Sequence, residues 1–236
     1  MRIRVVFFDA GNTLVEPDWG TVAEILGRHG LSRTGREVRS MAARAWPLLD
    51  RALEARGGST ESAPVKRLLT GLLLDAVGFP PGAVRGPAEE ELGRELPGLW
   101  RVPLPGVFEV LGELRAAGYR LGVVSNSNGT IERGLHACGF GGFFETIVDS
   151  AVVGAEKPDP VIFRIALRRM TAAPDEAVHV GDLPSVDVAG ARAAGLAALL
   201  LDPFGVFPDC PVPRLAELAE APRAIRGLPG GPGPAS

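Results

Sequence analysis

The amino-acid sequence predicts an α/β protein, in which a Rossmann-like parallel sheet carries an inserted, all-helical domain. Two observations predict this architecture. Short apolar runs rich in β-branched residues alternate with helix-like segments, which is typical of βαβ units. Between the first and second of these runs, residues 16–100 show apolar residues at helical spacing and no alternating strand pattern. The length of 236 residues allows a sizeable core without disulfides or structural metals.

The predicted strands are four short runs at residues 3–8, 119–124, 177–180 and 196–201. The core helices are expected near residues 106–117, 129–138, 160–170 and 185–194. The first three runs end at polar or acidic residues, namely Asp9, Ser125 and Asp182. The carboxyl ends of parallel strands meet at one edge of a sheet, where ligands of such folds bind. We therefore expect these three side chains to lie close together.

The predicted helical insert is expected to lie over this edge of the sheet. Its apolar stripes are formed by Val38, Met41, Ala42, Ala45, Leu49 and Leu53, and by Leu68, Leu69, Leu72, Leu73 and Ala76. Pro47 interrupts the first stripe and is expected to begin a new helix. The expected domains are a discontinuous core of residues 1–15 and 101–226, the insert 16–100, and a Gly- and Pro-rich disordered tail, 227–236.

The composition limits the classes of partner. A net charge of −3 gives no electrostatic reason to expect nucleic acid or an anionic membrane as a ligand. No apolar stretch approaches the roughly 18 residues of a membrane span, and none resembles a signal peptide. The two cysteines, Cys138 and Cys210, are typical of a reducing compartment. We therefore expect a cytoplasmic protein with a small-molecule partner, and the sequence does not indicate its oligomeric state.

Three aspartates follow predicted strands or begin predicted helices. Asp9 ends the first strand and precedes Ala10-Gly11, which suits either a turn residue or a carboxylate nucleophile of the kind that forms aspartyl-phosphates. Asp182 and Asp187 begin a helix, where acidic side chains complement the helix dipole. Together with Asp9 they could instead complete an oxygen-rich site for Mg²⁺.

Lys157 stands out because only two of the 25 basic residues are lysine, the other being Lys66. A lysine in an arginine-rich chain suggests that a compact ammonium is needed at that position, for example against a phosphoryl group. Ser125 and Asn126 suit a turn, or a hydroxyl and an amide that hold phosphate oxygens. Neither His136 nor His179 has a serine or cysteine at a spacing that would indicate a catalytic pair, and we interpret both as structural.

In order along the chain, these segments resemble the four motifs of the haloacid dehalogenase (HAD) superfamily. They are Asp9-Ala-Gly-Asn-Thr13-Leu14, Ser125-Asn126, Lys157-Pro158, and Gly181-Asp182 with Asp187. The helical insert is similar to the C1-type cap of that superfamily. The resemblance implies a Mg²⁺-dependent phosphatase of a small phosphorylated metabolite that works through an aspartyl-phosphate.

The resemblance also implies a role for each motif residue. Asp9 would be the nucleophile, assisted by Lys157. Asn12, Thr13, Ser125, Asn126 and Lys157 would contact the substrate and its phosphate. Asp9, Asp182 and the main-chain carbonyl of Gly11 would bind Mg²⁺, and Asp187 would orient the ligands.

The first motif departs from the family pattern at Gly11. Phosphatases of the family carry a second aspartate there, which protonates the leaving oxygen and later activates water. General acid–base catalysis contributes about 10²–10⁴-fold. Without it we expect slow turnover of alkyl phosphates and faster turnover of aryl or acyl phosphates, unless Glu16, Asp18 or another residue of the insert substitutes.

Three alternatives stay open. A 2-haloacid dehalogenase would use the same nucleophile without metal, although such enzymes carry Tyr at the position of Gly11 and lack the acidic fourth motif. A phosphonatase-like enzyme would need a lysine of the insert as a Schiff base, and Lys66 is the one available. The loss of the acid–base residue also suits a phospho-ligand-binding or regulatory protein with weak or no catalytic activity.

Overall fold

A computed structural model describes residues 2–56 and 59–229 of the chain. These residues form two compact units, one made of residues 2–14 and 103–229 and the other of residues 15–56 and 59–102. No helix among the described residues is long and apolar enough to cross a membrane.

The strands of the described residues are short. They are β1 (Val5–Phe8), β2 (Val15–Pro17), β3 (Trp100–Pro103), β4 (Arg120–Ser125), β5 (Thr146–Asp149), β6 (Ala177–Gly181), β7 (Ala197–Leu201) and β8 (Arg214–Leu215). The helices of the insert are α1 (Trp19–Arg28), α2 (Gly35–Ala42), α3 (Ala45–Arg56), α4 (Ala63–Ala76) and α5 (Arg85–Glu95). Those of the first unit are α6 (Val107–Ala116), α7 (Ile131–Ala137), α8 (Ser150–Val153), α9 (Pro160–Arg169), α10 (Ala189–Ala193) and α11 (Ala221–Gly227).

The first unit contains a six-stranded sheet in the order β5-β4-β1-β6-β7-β8, with all neighbours parallel. This confirms the predicted Rossmann-like class. In the middle of the sheet, Phe8 of β1 is in register with Val123 of β4 and Val180 of β6. The three strands therefore end side by side, and the residues that follow them meet at one edge.

The sheet is buried on both faces, which explains why its strands are continuously apolar rather than alternating. All four side chains of β1 are fully buried. Residues of α9 and α10 pack on the face that contains Phe7. At Gly122 of β4, a Cβ atom would lie 2.9 Å from the Phe7 ring, so glycine makes room for that ring.

Among its described residues, the second unit contains five α-helices around their own apolar cluster, which agrees with the predicted helical insert. A two-stranded ribbon of β2 and β3 pairs the segments at the two boundaries of the insert. Side-chain caps begin several helices: Asp18 accepts from the main chain of Thr21, and Thr34 and Glu37 form a capping box. Pro47 lies in the first turn of α3, near the predicted start of a new helix.

Three further details differ from the sequence-based expectations. The strand β5 (Thr146–Asp149) lies outside the four predicted runs, because its apolar stretch is only the two residues Ile147 and Val148. The edge strand β8 was missed for the same reason of length. Gly227, predicted to begin a disordered tail, ends α11, and residues 230–236 lie outside the described part of the chain.

Candidate active site

The candidate site lies at the carboxyl edge of the sheet in the first unit. Asp9 directly follows β1, Ser125 ends β4, and Asp182 directly follows β6. Lys157 comes from the connection between α8 and α9, where the Lys157–Pro158 peptide bond is cis. Neighbouring parallel strands bring Asp9, Ser125 and Asp182 to one edge, and Lys157 joins them through its ion pair with Asp9.

Lys157 forms ion pairs with two aspartates of the site. Its ammonium donates to Oδ1 of Asp9 at 2.5 Å and to Oδ1 of Asp187 at 2.7 Å, and its side chain is only 2% exposed. Burial alone would lower the pKa of Lys157, but the Asp187 and Asp9 carboxylates outweigh it and raise the pKa above its ordinary value. The lysine is therefore a fixed positive charge at neutral pH.

Asp187 uses both of its carboxylate oxygens. Oδ1 accepts from Lys157 and from Nε2 of His179 at 2.9 Å, and Oδ2 accepts from the main-chain N–H groups of Asp182 and Leu183 at 3.2 and 3.0 Å. Burial would raise the pKa of Asp187, but the charge of Lys157 and these hydrogen bonds lower it instead. A fully hydrogen-bonded carboxylate suits a residue that orients its neighbours.

Gly181 is required by the position of Asp187. A Cβ atom at residue 181 would lie 2.3 Å from Cγ of Asp187, closer than non-bonded atoms can approach. Asp187 itself belongs to a π-helical turn, Pro184–Val188, that directly precedes α10. π-Helical turns occur often at functional sites. The turn brings Asp187 back over the end of β6.

The carboxylate of Asp182 has fewer hydrogen-bond donors around it than that of Asp187. Its Oδ2 accepts from Nδ2 of Asn12 at 2.9 Å, and Asn12 lies in the left-handed region with a φ of 52°. Burial of the carboxyl group, followed by the charges of Asp187 and Asp9, raises the pKa of Asp182 well above its ordinary value. Burial also raises the pKa of Asp9, although Lys157 opposes it.

The site therefore holds more negative than positive charge. Oxygens of Asp9, Asp182 and Asp187 lie within 4.8 Å of one another, and Lys157 is the cation that contacts two of them. Burial lowers the pKa of His179, so this histidine adds no charge at neutral pH. A divalent cation would balance the remaining two negative charges. Because Asp187 is already fully hydrogen-bonded, Asp9 and Asp182 are the carboxylates that fit Mg²⁺, which prefers oxygen ligands.

Two buried hydroxyl groups lie near the carboxyl ends of β1 and β4. Thr13 is fully buried, and its Oγ1 has no hydrogen-bond partner among the described residues. Ser125 is 3% exposed, and its hydroxyl makes only a long contact of 3.4 Å with the carbonyl of Asn126. Both hydroxyls retain the capacity to bind a ligand oxygen. Their predicted role in substrate binding stays a prediction.

The side chains of Asn12 and Asn126 bond to the protein itself. Asn12 donates to Asp182, as described above. Asn126 donates to the carbonyl of Lys157 at 2.9 Å and accepts from the N–H of Lys157 at 2.7 Å. The sequence suggested that both amides hold phosphate. In the structure these amides contact Asp182 and the main chain of Lys157, and their role in phosphate binding stays a prediction.

His179 is the residue that sequence reasoning missed. It is fully buried on β6, its ring lies edge-on to Phe163, and it contacts Asp187. The interpretation as a purely structural histidine overlooked one signal. Residues i and i+2 of a strand share a face, so His179 lies on the same face as Gly181, where Asp187 packs. His136 makes no contact with the groups of this site among the described hydrogen bonds.

The substitutes considered for the proton donor have partners within the second unit. Asp18 caps α1 and accepts from Arg101, and these hydrogen bonds lower its pKa. Glu16 accepts from Nε1 of Trp19 at 3.0 Å and from Nε of Arg39 at 2.5 Å. An acid with a lowered pKa is a poor proton donor at neutral pH, so Asp18 is not favoured for that role.

Comparison with known protein families identifies one family that matches most of the chain. The sequence profile of the haloacid dehalogenase-like hydrolases matches residues 3–195. A glyceraldehyde 3-phosphate phosphatase of Methanothermobacter thermautotrophicus is 42% identical over 106 residues, and the pyrophosphatase PpaX of Bacillus velezensis is 42% identical over 96 residues. These alignments cover 42% and 39% of this chain, and 45% and 44% of the relatives. The chain thus spans less than half of the length of these relatives.

Solved structures resemble the chain over almost its whole length. The HAD-hydrolase YfnB of Bacillus subtilis, solved bound to magnesium, has a TM-score of 0.69 at 21% identity, covering 97% of this chain and 100% of that one. A 2-haloacid dehalogenase of Pseudomonas syringae has a TM-score of 0.57 at 25% identity, covering 94% and 98%. At these identities the likeness concerns the fold, which phosphatases and dehalogenases share.

Proposed function

Because the chain belongs to the haloacid dehalogenase-like hydrolase family, we propose that it is a Mg²⁺-dependent phosphatase of a small phosphorylated metabolite. The observation that carries the proposal is the buried cluster in which Lys157 pairs with Asp9 beside the under-compensated carboxylate of Asp182. A phosphoryl group is dianionic, and its oxygens could contact the Lys157 ammonium and Mg²⁺ directly. The unit 15–102 is proposed as the cap.

In the proposed first step, a carboxylate oxygen of Asp9 attacks phosphorus. The bond from phosphorus to the leaving oxygen breaks, and an aspartyl-phosphate forms. Lys157 offsets charge on the phosphoryl oxygens, and Asp187 with His179 keeps its ammonium directed at the reacting group. Mg²⁺, when bound through Asp9, Asp182 and the carbonyl of Gly11, would supply further neutralisation of the phosphoryl charge.

In the second step, water attacks phosphorus, the bond to Asp9 breaks, and inorganic phosphate is released. The two steps place different demands on a proton carrier. The second must take a proton from the attacking water, whatever the substrate. The first must protonate an alkoxide leaving group, whereas an aryl oxide or a carboxylate departs without a proton. Since Gly11 has no side chain to carry that proton, we propose that turnover depends strongly on the leaving group.

The relatives named above support a phosphatase. Both names describe hydrolysis of a phosphate ester or a phosphoric anhydride. The aligned part is under half of either protein, so the proposal stops at the class of reaction.

A 2-haloacid dehalogenase is the second candidate, and the fold similarity to a solved dehalogenase is the observation that favours it. The acidic cluster opposes it, because a reaction without metal leaves the Asp182 carboxylate beside Asp9 without a compensating cation. A phosphonatase-like reaction is opposed by Lys66, whose ammonium is paired with Glu61 at 2.7 Å. A Schiff base requires the amine to reach the substrate carbonyl, whereas this amine contacts a carboxylate of its own unit.

The proposal is tested with a panel of aryl, acyl and alkyl phosphates and 2-haloacids, assayed with and without Mg²⁺. We expect Mg²⁺-dependent phosphate release that Asp9→Asn abolishes. Asp175→Asn, at an exposed aspartate, is the matched control and should retain full activity. Halide release without metal would establish the dehalogenase instead. The absence of any turnover, with retained binding of inorganic phosphate, would indicate a phospho-ligand-binding protein.

The leaving-group argument is tested by Gly11→Asp. We expect this variant to accelerate hydrolysis of alkyl phosphates by roughly 10²-fold, the usual contribution of general acid–base catalysis, and to change aryl phosphate hydrolysis far less. No acceleration with alkyl phosphates would show that another residue already carries the proton. Equal acceleration of both classes would show instead that attack of water on the aspartyl-phosphate, the step common to all substrates, limits turnover.

A further inference from the structure

The amide of Asn126 bridges the main chain of Lys157. Its Nδ2 donates to the Lys157 carbonyl at 2.9 Å, and its Oδ1 accepts from the Lys157 N–H at 2.7 Å. The orientation of the amide is settled by its partners, because a main-chain N–H can only donate and a carbonyl can only accept. One side chain therefore satisfies both polar main-chain groups of Lys157, across 31 positions in sequence.

The loop that carries Asn126 is itself anchored at the end of β5. The carboxylate of Asp149 accepts from the N–H groups of Gly129 and Ile131 at 3.1 and 3.3 Å. The hydroxyl of Ser150 accepts from the N–H of Ser127 at 3.0 Å and donates to its carbonyl at 3.1 Å. Asn126 is consequently held between its own strand and these contacts, and it can act as a fixed support.

The other side of the lysine loop is closely packed. A Cβ atom at Gly190 of α10 would lie 3.0 Å from Cα and from the carbonyl oxygen of Pro158. The main chain at residues 157–158 thus lies between the Asn126 amide and α10. The lysine side chain extends from this fixed point to Asp9 and Asp187.

We propose that Asn126 is a positioning residue for Lys157, and not the phosphate ligand that the sequence suggested. It holds the main chain of Lys157 in place, so that the side chain extends in the direction in which its ammonium contacts the Asp9 carboxylate. For its effect on catalysis the proposal rests on the proposed function, since a displaced ammonium is costly only if it serves the reacting phosphoryl group. Displacements of about 1 Å can lower rates by about 10²-fold.

The test uses the fact that the chain has only two lysines, Lys66 and Lys157. Protein labelled with ¹³C-lysine gives one side-chain Cε signal from each, so the position of Lys157 can be followed without any enzymatic assay. The variants are Asn126→Ala and Asn126→Ser, the second in case the first does not fold. Asn128→Ala is the matched control, because this exposed residue lies in the same loop.

We expect the Lys157 signal to shift or broaden in both Asn126 variants, while the Lys66 signal stays unchanged. Acylation of Lys157 by acetic anhydride, followed by mass spectrometry, should become faster. With p-nitrophenyl phosphate and Mg²⁺, kcat should fall roughly 10- to 100-fold with a smaller change in KM, and the control should match the wild-type protein.

Two results would overturn the proposal. An unchanged Lys157 signal together with weaker inhibition by inorganic phosphate would show that Asn126 binds phosphate directly. Unchanged signal, acylation and kinetics would show that the bridge has no positioning role. If the Lys157 signal moves but the wild-type protein hydrolyses no phosphate, Asn126 still positions Lys157 and the proposed function is the part that fails.

Discussion

The two lysines of the chain form similar ion pairs in very different surroundings. Lys66 pairs with Glu61 at 2.7 Å in the second unit, and both side chains are about one third exposed, at 33% and 31%. Lys157 pairs with Asp187 at the same distance in the first unit, but both side chains are only 2% exposed. The contribution of an ion pair to stability therefore depends on how deeply the pair is buried, and the distance between the charges alone does not indicate it.

The physical reason is the cost of removing charges from water. An exposed pair gains little, with typical values of about 0–1 kcal/mol, because water and salt screen it. A buried pair has lost its hydration, so removing one partner leaves an uncompensated charge at a cost of about 3–5 kcal/mol. Lys157 compensates two carboxylates at once, and its absence would leave the acidic cluster without a cation.

The largest expected effect comes from replacing each lysine with methionine. For Lys157→Met we expect a roughly 10²–10³-fold loss of kcat with aryl phosphates and a loss of about 3 kcal/mol in the free energy of unfolding without Mg²⁺. Lys66→Met should change the free energy of unfolding by less than about 0.5 kcal/mol. Urea denaturation and steady-state kinetics measure both, and equal effects of the two substitutions would contradict the comparison.

An intermediate effect is expected from Mg²⁺ itself. The cation should stabilise the folded protein because it compensates Asp9 and Asp182, by about 1.4 kcal/mol at a tenfold excess over its Kd. Asp182→Asn should abolish most of this stabilisation, whereas Asp75→Asn, at an exposed aspartate that pairs with Arg85, should retain it. Thermal unfolding with and without Mg²⁺ gives the answer. Retention in Asp182→Asn would place the cation elsewhere.

The smallest effect concerns alkaline pH. The pKa of Lys157 is raised above its ordinary value of 10.5, so its stabilisation is complete below about pH 10.5 and is lost as the pH rises through the higher pKa of the folded state. In the ¹³C-lysine spectrum, the Lys157 signal should still report an ammonium at pH 11. A signal that titrates with a midpoint at or below 10.5 would mean that the neighbouring carboxylates do not outweigh burial.

The fold class could be predicted from the sequence because its signals are local. The apolar runs that became β1, β4, β6 and β7 each end at a polar residue, and parallel pairing then brings Asp9, Ser125 and Asp182 to one edge. The short strands β5 and β8 contain too few apolar residues to form such a run. Their strand character comes from pairing with a neighbour, which a single segment does not reveal.

The contacts within the site were less accessible to sequence reasoning. The rarity of lysine drew attention to Lys157, but nothing local indicated that the Asn126 amide would bond to its main chain. The contact of His179 with Asp187 depends on a π-helical turn, which has no clear sequence signature. Contacts between distant segments are set by tertiary packing. The type of a residue can suggest that it belongs to the site, but only the folded structure shows which residues it contacts.

The ribbon of β2 and β3 has a consequence for the modularity of the chain. Its two strands hold the entry and exit of the insert side by side, and the N–H of Asp18 donates to the carbonyl of Leu99 at 2.8 Å just beyond the ribbon. Paired strands lie about 4.8 Å apart. An unrelated domain whose termini are equally close is therefore geometrically suited to grafting between residues 17 and 100, which makes the junction a natural place to build chimeras.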